Sequence, residues 1–142
     1  MRYWDASGIV PLLVRQARTQ DMERLLEQDP VAVTWWGTPI ECLSALLRLV
    51  REGRLTVDEL TDAERRLREL RDGWSEVLPS ETCRRTAERM LRVHALRAAD
   101  ALQLAAAMVA SDGEPTQLDL VCLDRRLAGA ARKEGFALAV RL

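Results

Sequence analysis

Short apolar runs alternate with longer amphipathic ones along the whole chain, and this alternation limits the fold more than any other feature. Strands separated by helices need crossover connections, and crossovers place the strands parallel with helices over both faces. Arg2 to Trp4 reads as a first strand, and Gly8 to Arg18 as a helix with Pro11 in its first turn, where a missing N–H costs little. Thr19 to Gln28 continues as a second helix, and Val31 to Trp35 forms a second strand after the Asp29-Pro30 break. The third helix runs from about Pro39 to Glu52, with Leu43, Leu46, Leu47 and Val50 on one face and Gly53 as its stop. From Thr56 to Trp74, Leu60, Ala63, Leu67 and Leu70 recur at helical steps, and the spacing predicts Asp62–Arg66 and Glu64–Arg68 pairs on the solvated side. Ser75 to Leu78 is a third strand, followed by helices over Glu81–His94 and Arg97–Ser111. Leu118 to Leu123 is a fourth strand, Arg125 to Glu134 the last helix, and Ala137 to Val140 a fifth strand. The expected architecture is α/β, with a small, mainly parallel five-stranded sheet.

Composition sets the scale of that architecture. At 142 residues, with 48% hydrophobic and 30% charged, the chain fits one soluble domain spanning 1–142 around a single core. Its most apolar run, Ala101 to Ala110, is shorter than the roughly 20 residues of a membrane span. The first residues enter a strand pattern without a signal-peptide h-region, so a cytoplasmic location is expected. Cys42, Cys83 and Cys122 form no C-x-x-C pair and have no zinc-ligand spacing to a histidine, which points to buried reduced thiols. Of 21 basic residues only Lys133 is a lysine, and the arginines supply planar forks suited to phosphate.

Four acids stand where chemistry and local structure compete for them. Asp5 and Asp124 each end a strand and open a helix; ligands of parallel sheets collect there, and aspartate is also a favoured N-cap. Glu41 fits a capping box, with Thr38 as N-cap and Pro39 at the first helical position. Asp100 lies between Leu96 and Leu104 on one face of an alanine-rich helix, with a helix-dipole interaction or an Arg97 pair as its local alternatives. Two carboxylates facing packed surface invite a shared metal ion, because a desolvated charge needs a partner.

The stretches Tyr3-Trp4-Asp5-Ala6-Ser7, Thr38-Pro39-Ile40-Glu41-Cys42, Leu96-Arg97-Ala98-Ala99-Asp100-Ala101-Leu102 and Val121-Cys122-Leu123-Asp124-Arg125-Arg126 occur in an order that resembles the PIN domain, and more narrowly the VapC-type toxins of toxin–antitoxin pairs. The resemblance covers essentially the whole chain. It implies a PIN-like three-layer α/β/α fold and a metal-dependent endoribonuclease, with Mg²⁺, or Mn²⁺ in its place, held by Asp5, Glu41, Asp100 and Asp124. Asp5 and Asp100 would be the principal ligands, Glu41 would complete their shell, and Asp124 would hold a second ion or position water. Ser7 falls on a supporting polar position. A VapB-type antitoxin, a homodimer and an RNA substrate are likewise implied. Two positions depart from the family: Cys122 replaces a usual Thr or Ser, and Gln103 stands where a histidine is common. Hard oxygen ligands favour Mg²⁺ or Mn²⁺ over zinc, and such ions lower the pKa of bound water and clamp phosphate.

Arg97, Arg125 and Arg126 lie closest in sequence to the acids and suit phosphate contacts, with ordinary solvation as their alternative. Trp35-Trp36 could stack on bases or serve packing. His94 reads as a packed helix-end residue, and Ser7 has no histidine partner for a triad. Other classes fit less well. A phospho-acceptor domain needs adjacent acids after the first strand and a lysine at a later strand end, whereas Asp5 is single and Lys133 lies in a helix. A catalytically silent PIN-like interaction module remains the alternative, against which all four acids are present.

Overall fold

The computed structural model describes residues 1–142, and its chain order follows the alternation closely. It runs β1 (Arg2–Trp4), α1 (Ala6–Leu13), α2 (Thr19–Gln28), β2 (Ala32–Trp35), α3 (Thr38–Arg51), α4 (Val57–Gly73), β3 (Ser75–Val77), α5 (Glu81–Val93), α6 (Ala98–Ala110), β4 (Asp119–Val121) and α7 (Arg125–Lys133). The four strands are all parallel, in the order β3-β2-β1-β4.

Strand alternation divides the molecule into layers. Tyr3, Val33 and Leu120 lie in register and face a core built with α5, α6 and α7. Trp4 and Val121, also in register, face the opposite way into a core shared with α1 to α4. One sheet thus separates two apolar cores, giving the three-layer α/β/α arrangement. Alanine at 101, 105, 106 and 107, all fully buried, lets α6 lie close to its neighbours. On the other face Gly8 lets α1 approach β4, since a Cβ there would stand 3.0 Å from both the Val121 carbonyl oxygen and its Cγ1.

Three expectations change. The closing segment contributes only a parallel bridge between Leu138 and Leu120 rather than a fifth strand. Beyond that bridge Val140 turns into the α1–α4 core, and Arg18 binds the Arg141 carbonyl, so the chain crosses the sheet edge instead of running along it. The first helix begins at Ala6, capped by Asp5, and ends at Leu13 where Val14 becomes extended, which places Pro11 inside the helix. On α4, Asp62 pairs with Arg65 and not Arg66, whose guanidinium instead reaches the Leu13 carbonyl. No helix is long and apolar enough to cross a membrane.

Candidate active site

In the order β3-β2-β1-β4 the chain moves outward from β1 to one side, then returns to its other side for β4. That reversal makes a crevice at the carboxyl ends of β1 and β4, the place where open parallel sheets take ligands. Asp5 follows β1 and Asp124 follows β4 shortly beyond it. The Asp5 N–H donates to the Val121 carbonyl at 3.1 Å, which fixes the first acid against the last strand.

Ser7 completes this junction. Its hydroxyl has one proton and two lone pairs. The proton goes to the Asp5 carboxylate, with Oγ 2.9 and 2.8 Å from the two carboxylate oxygens. The lone pairs accept the N–H groups of Leu123 at 2.7 Å and Asp124 at 3.2 Å. The Cys122 Sγ lies 3.8 Å from the same hydroxyl and 3.4 Å from the Asp124 carbonyl oxygen, so the thiol sits at the same junction and supports the ionised Asp5 alongside Ser7.

Both strand-end aspartates cap helices, and neither is exhausted by doing so. Asp5 accepts the Ser7 N–H at 2.9 Å and is 4% exposed. Asp124 accepts the Arg126 and Leu127 N–H groups, each at 2.8 Å, through Oδ1 alone, which leaves Oδ2 open on an exposed side chain.

The capping box proposed for Glu41 does not form. Gly37 occupies the cap position, and Thr38 has become the first helical residue. Its hydroxyl is held in the interior, between Thr34 Oγ1 at 2.7 Å and Gln103 Nε2 at 2.9 Å. Gln103 is the hub of this network, with its Oε1 accepting the Tyr3 hydroxyl at 2.7 Å and its Nε2 donating to Glu41 at 3.0 Å. Thr34 in turn donates to the Trp4 carbonyl. The carboxylate of Glu41 is therefore oriented by α6 and β1 rather than by its own helix terminus.

Asp100 makes no ion pair within 4.0 Å, so the anticipated Arg97 partner is not engaged. Glu41, Asp100 and Asp124 line one cavity of about 820 Å³, with Arg48, Arg97, Arg125 and Arg126 in its wall. Asp5 lies behind that rim. Burial raises the Asp5 carboxyl to about 6, against the hydrogen bonds from Ser7 and Cys122 and with a smaller push from Asp124. Burial likewise raises Glu41 to about 7, opposed by Gln103 and reinforced by the charges of Asp5 and Asp100. Asp100 is raised by burial and by Asp124, with the Arg97 backbone and the guanidiniums of Arg126 and Arg97 acting in the opposite sense. These acids feel one another and lack enough positive charge of their own.

Such a set fits a hard divalent cation: its donors are carboxylate oxygens, and their shared excess of negative charge favours one. As placed, no three His, Cys, Asp or Glu side chains form a ready-made ion cage. The acids fit a cation as a rim of separate ligands rather than as a closed site.

Three contributors escaped sequence reasoning: the Gln103 hub, the three-way role of Ser7, and Arg48. A faint signal existed for the first, since Gln103 interrupts an alanine-rich buried helix on the same face as Asp100. The free thiols behave as expected, all three being buried. Trp35 packs in the core while Trp36 is exposed. His94 is packed at the end of α5, where its Nε2 meets Glu134 at 2.6 Å.

A parallel sheet between two helical layers, with acids at the switch point of its strand order, is a PIN-like fold. Two ribonucleases of Mycobacterium tuberculosis match almost its full length. Ribonuclease VapC45 of strain CDC 1551 / Oshkosh and Ribonuclease VapC49 of strain ATCC 25618 / H37Rv are each 34% identical over 140 residues, covering 96% of this chain and 93% of theirs. No family model matches the chain. At that identity and coverage the chain belongs to the VapC ribonuclease family.

Proposed function

We propose that the chain is a metal-dependent endoribonuclease that hydrolyses RNA phosphodiester bonds as the toxin of a type II toxin–antitoxin pair. The observation that carries this reading is the cavity at the strand ends, where Glu41, Asp100 and Asp124 face Arg97, Arg125 and Arg126 in front of the buried Asp5. Mixed sign is what a metal-dependent phosphodiesterase requires, with acids to hold a cation and arginines to hold the phosphate that the acids would repel.

Asp5, Glu41, Asp100 and Asp124 would hold Mg²⁺, or Mn²⁺ in its place. The cation supplies a bound water of lowered pKa and neutralises charge on the phosphate oxygens. The protein's own groups do the rest. Ser7 holds Asp5 ionised and in place against β4, and Gln103 aims Glu41 at the cavity. The open Oδ2 of Asp124 can accept a proton from water. Arg97, Arg125 and Arg126 orient the backbone phosphate.

The proposed partners are an RNA substrate, a VapB-type antitoxin and a second copy of the chain, in the cytoplasm. Exposed Trp36, Ile40 and Leu78 support a protein partner near the site: Trp36 and Leu78 adjoin at the ends of β2 and β3, and Ile40 lies in the first turn of α3 and lines the cavity. The leucine-rich faces of α3 and α4 serve mainly the monomer, since Leu46, Ala63 and Leu67 are buried in its core. The test is RNA cleavage in Mg²⁺ or Mn²⁺, in EDTA, and with Asp5→Asn and Asp100→Asn. Cleavage should require the cation and fail in both variants. Parental rates in folded variants would refute the site, and a folded parent that binds antitoxin but never cuts RNA would favour the silent module.

A further inference from the structure

A second cavity of about 510 Å³ adjoins the acid-lined one, and the two share Ala45 and Arg48 of α3. On its inner side lie Ser7 and Leu123, the same junction that holds Asp5 against the last strand. The two cavities therefore adjoin as two lobes, with Arg48 at the seam.

The lobes differ in chemistry. The acid lobe is charged, whereas the second has an aliphatic floor of Val10, Ala45, Leu49 and Leu123 and a polar rim of Gln16, Glu52 and Arg54. Glu52 is paired with Arg54 at 3.5 Å, which reduces its repulsion toward a phosphate. Arg48 is exposed and makes no ion pair or side-chain hydrogen bond, and the Gln16 side-chain amide is also without a partner. An aliphatic floor, a free amide at its edge and a free guanidinium at the seam suit an unpaired nucleotide: base on the floor, phosphate on the arginine. Single-stranded nucleic acid is held by a cationic track along its backbone with its bases seated on side-chain surfaces, and here the seat is aliphatic.

Building on the ribonuclease reading above, we infer that the second lobe is a subsite for the unpaired nucleotide next to the cleaved bond, with Arg48 binding the phosphate between that nucleotide and the acid lobe. Arg48 is a positioning residue in this scheme. It anchors the strand so that the neighbouring phosphate reaches the acids.

The experiment is cleavage of a random-sequence single-stranded RNA decamer, carrying a fluorophore and quencher, by the full chain in Mg²⁺. Arg48→Ala should raise KM about tenfold, the loss of one charge-assisted phosphate contact, with kcat within about twofold. The salt slope of KM should fall by about 0.7 for that contact. Arg48→Lys should recover part of the affinity, and Arg92→Ala, on an exposed α5 arginine that lines neither lobe, should change nothing. The base is tested without altering the protein. An unlabelled single-stranded decamer, competing with the labelled one in initial-rate measurements, should inhibit about tenfold more tightly than an abasic decamer with the same phosphates, and more tightly than the duplex form. If the parent cleaves but Arg48→Ala keeps its KM, or the two single-stranded inhibitors bind equally, the subsite is refuted and the ribonuclease reading stands. If the parent does not cleave in Mg²⁺, that reading fails and the subsite with it.

Discussion

Two charged clusters in this molecule use carboxylates to opposite ends. Where α5 meets the end of α7, Glu134 receives the guanidinium of Arg89 and the ring of His94, and its carboxyl is lowered, first by Arg89. At the strand ends Asp5, Glu41 and Asp100 have no cationic partner within ion-pair distance, and all three are raised by burial. The first cluster is complete as it stands and joins two helices. The second is electrostatically incomplete, and its deficit is what a bound cation would supply. Comparing partners thus separates an acid that is paired within the structure from the acids proposed for chemistry better than burial does.

The sharpest way to break this contrast is to remove charge from each cluster in turn. Asp100→Asn should lower RNA cleavage by at least about 100-fold, beyond the 10–100-fold typical of groups that merely support a ligand, while urea unfolding shows stability unchanged or raised. A variant that unfolds more easily would place Asp100 with Glu134 instead.

Proton linkage separates the clusters next. A carboxyl raised in the folded state binds protons there that the unfolded chain has released, so between the unfolded values near 4 and the folded values of about 6 and 7 stability falls as pH rises. In EDTA the protein should be about 2 kcal/mol more stable at pH 5 than at pH 8, after allowance for the solvent access of Glu41. Saturating Mg²⁺ should flatten that gradient, because it favours the ionised acids. Glu134, lowered in the folded state, adds stability above its unfolded value and loses it only in more acidic solution, outside this window. Unfolding curves at four pH values, with and without Mg²⁺, would show the opposite slope if the strand-end acids were internally paired.

Glu134→Ala should cost about 1–2 kcal/mol of stability, a five- to thirtyfold change in the folded ratio, because it strands Arg89 and the packed His94. Its cleavage rate at a temperature where it is folded should equal the parent's. The smallest effect expected is at the link between sheet and site: Ser7→Ala should weaken Mg²⁺ binding about tenfold by calorimetry, since Asp5 then loses its orienting hydroxyl.

Much of this molecule is readable from local pattern. Period and punctuation place the four strands and seven helices within a few residues, because those signals act over one or two turns of chain. The four acids were visible as acids in odd surroundings, and family resemblance supplied the reason to group them. Contacts that span the chain were not visible. Gln103 meets residues at 3, 38 and 41, and Ser7 meets residues at 123 and 124, through hydroxyl and amide bonds that carry no periodicity. The Thr38 capping box failed for the same reason: a distant glutamine and a buried threonine claimed its hydroxyl. The fifth strand shrank to one bridge because Val140 found more burial in the other layer than along the edge.

The pairing of β1 with β4 also bears on when, during synthesis, the strand-end site is assembled. Ribosomes deliver the N-terminal part first, and domains begin to fold as they emerge. Until β4 arrives, β1 is an edge, Ser7 has no Leu123 or Asp124 amide to hold, and Asp5 is not fastened to Val121. A nascent chain lacking its last strand would carry the first acid without its setting. The strand order thereby delays assembly of this junction until β4 has been made.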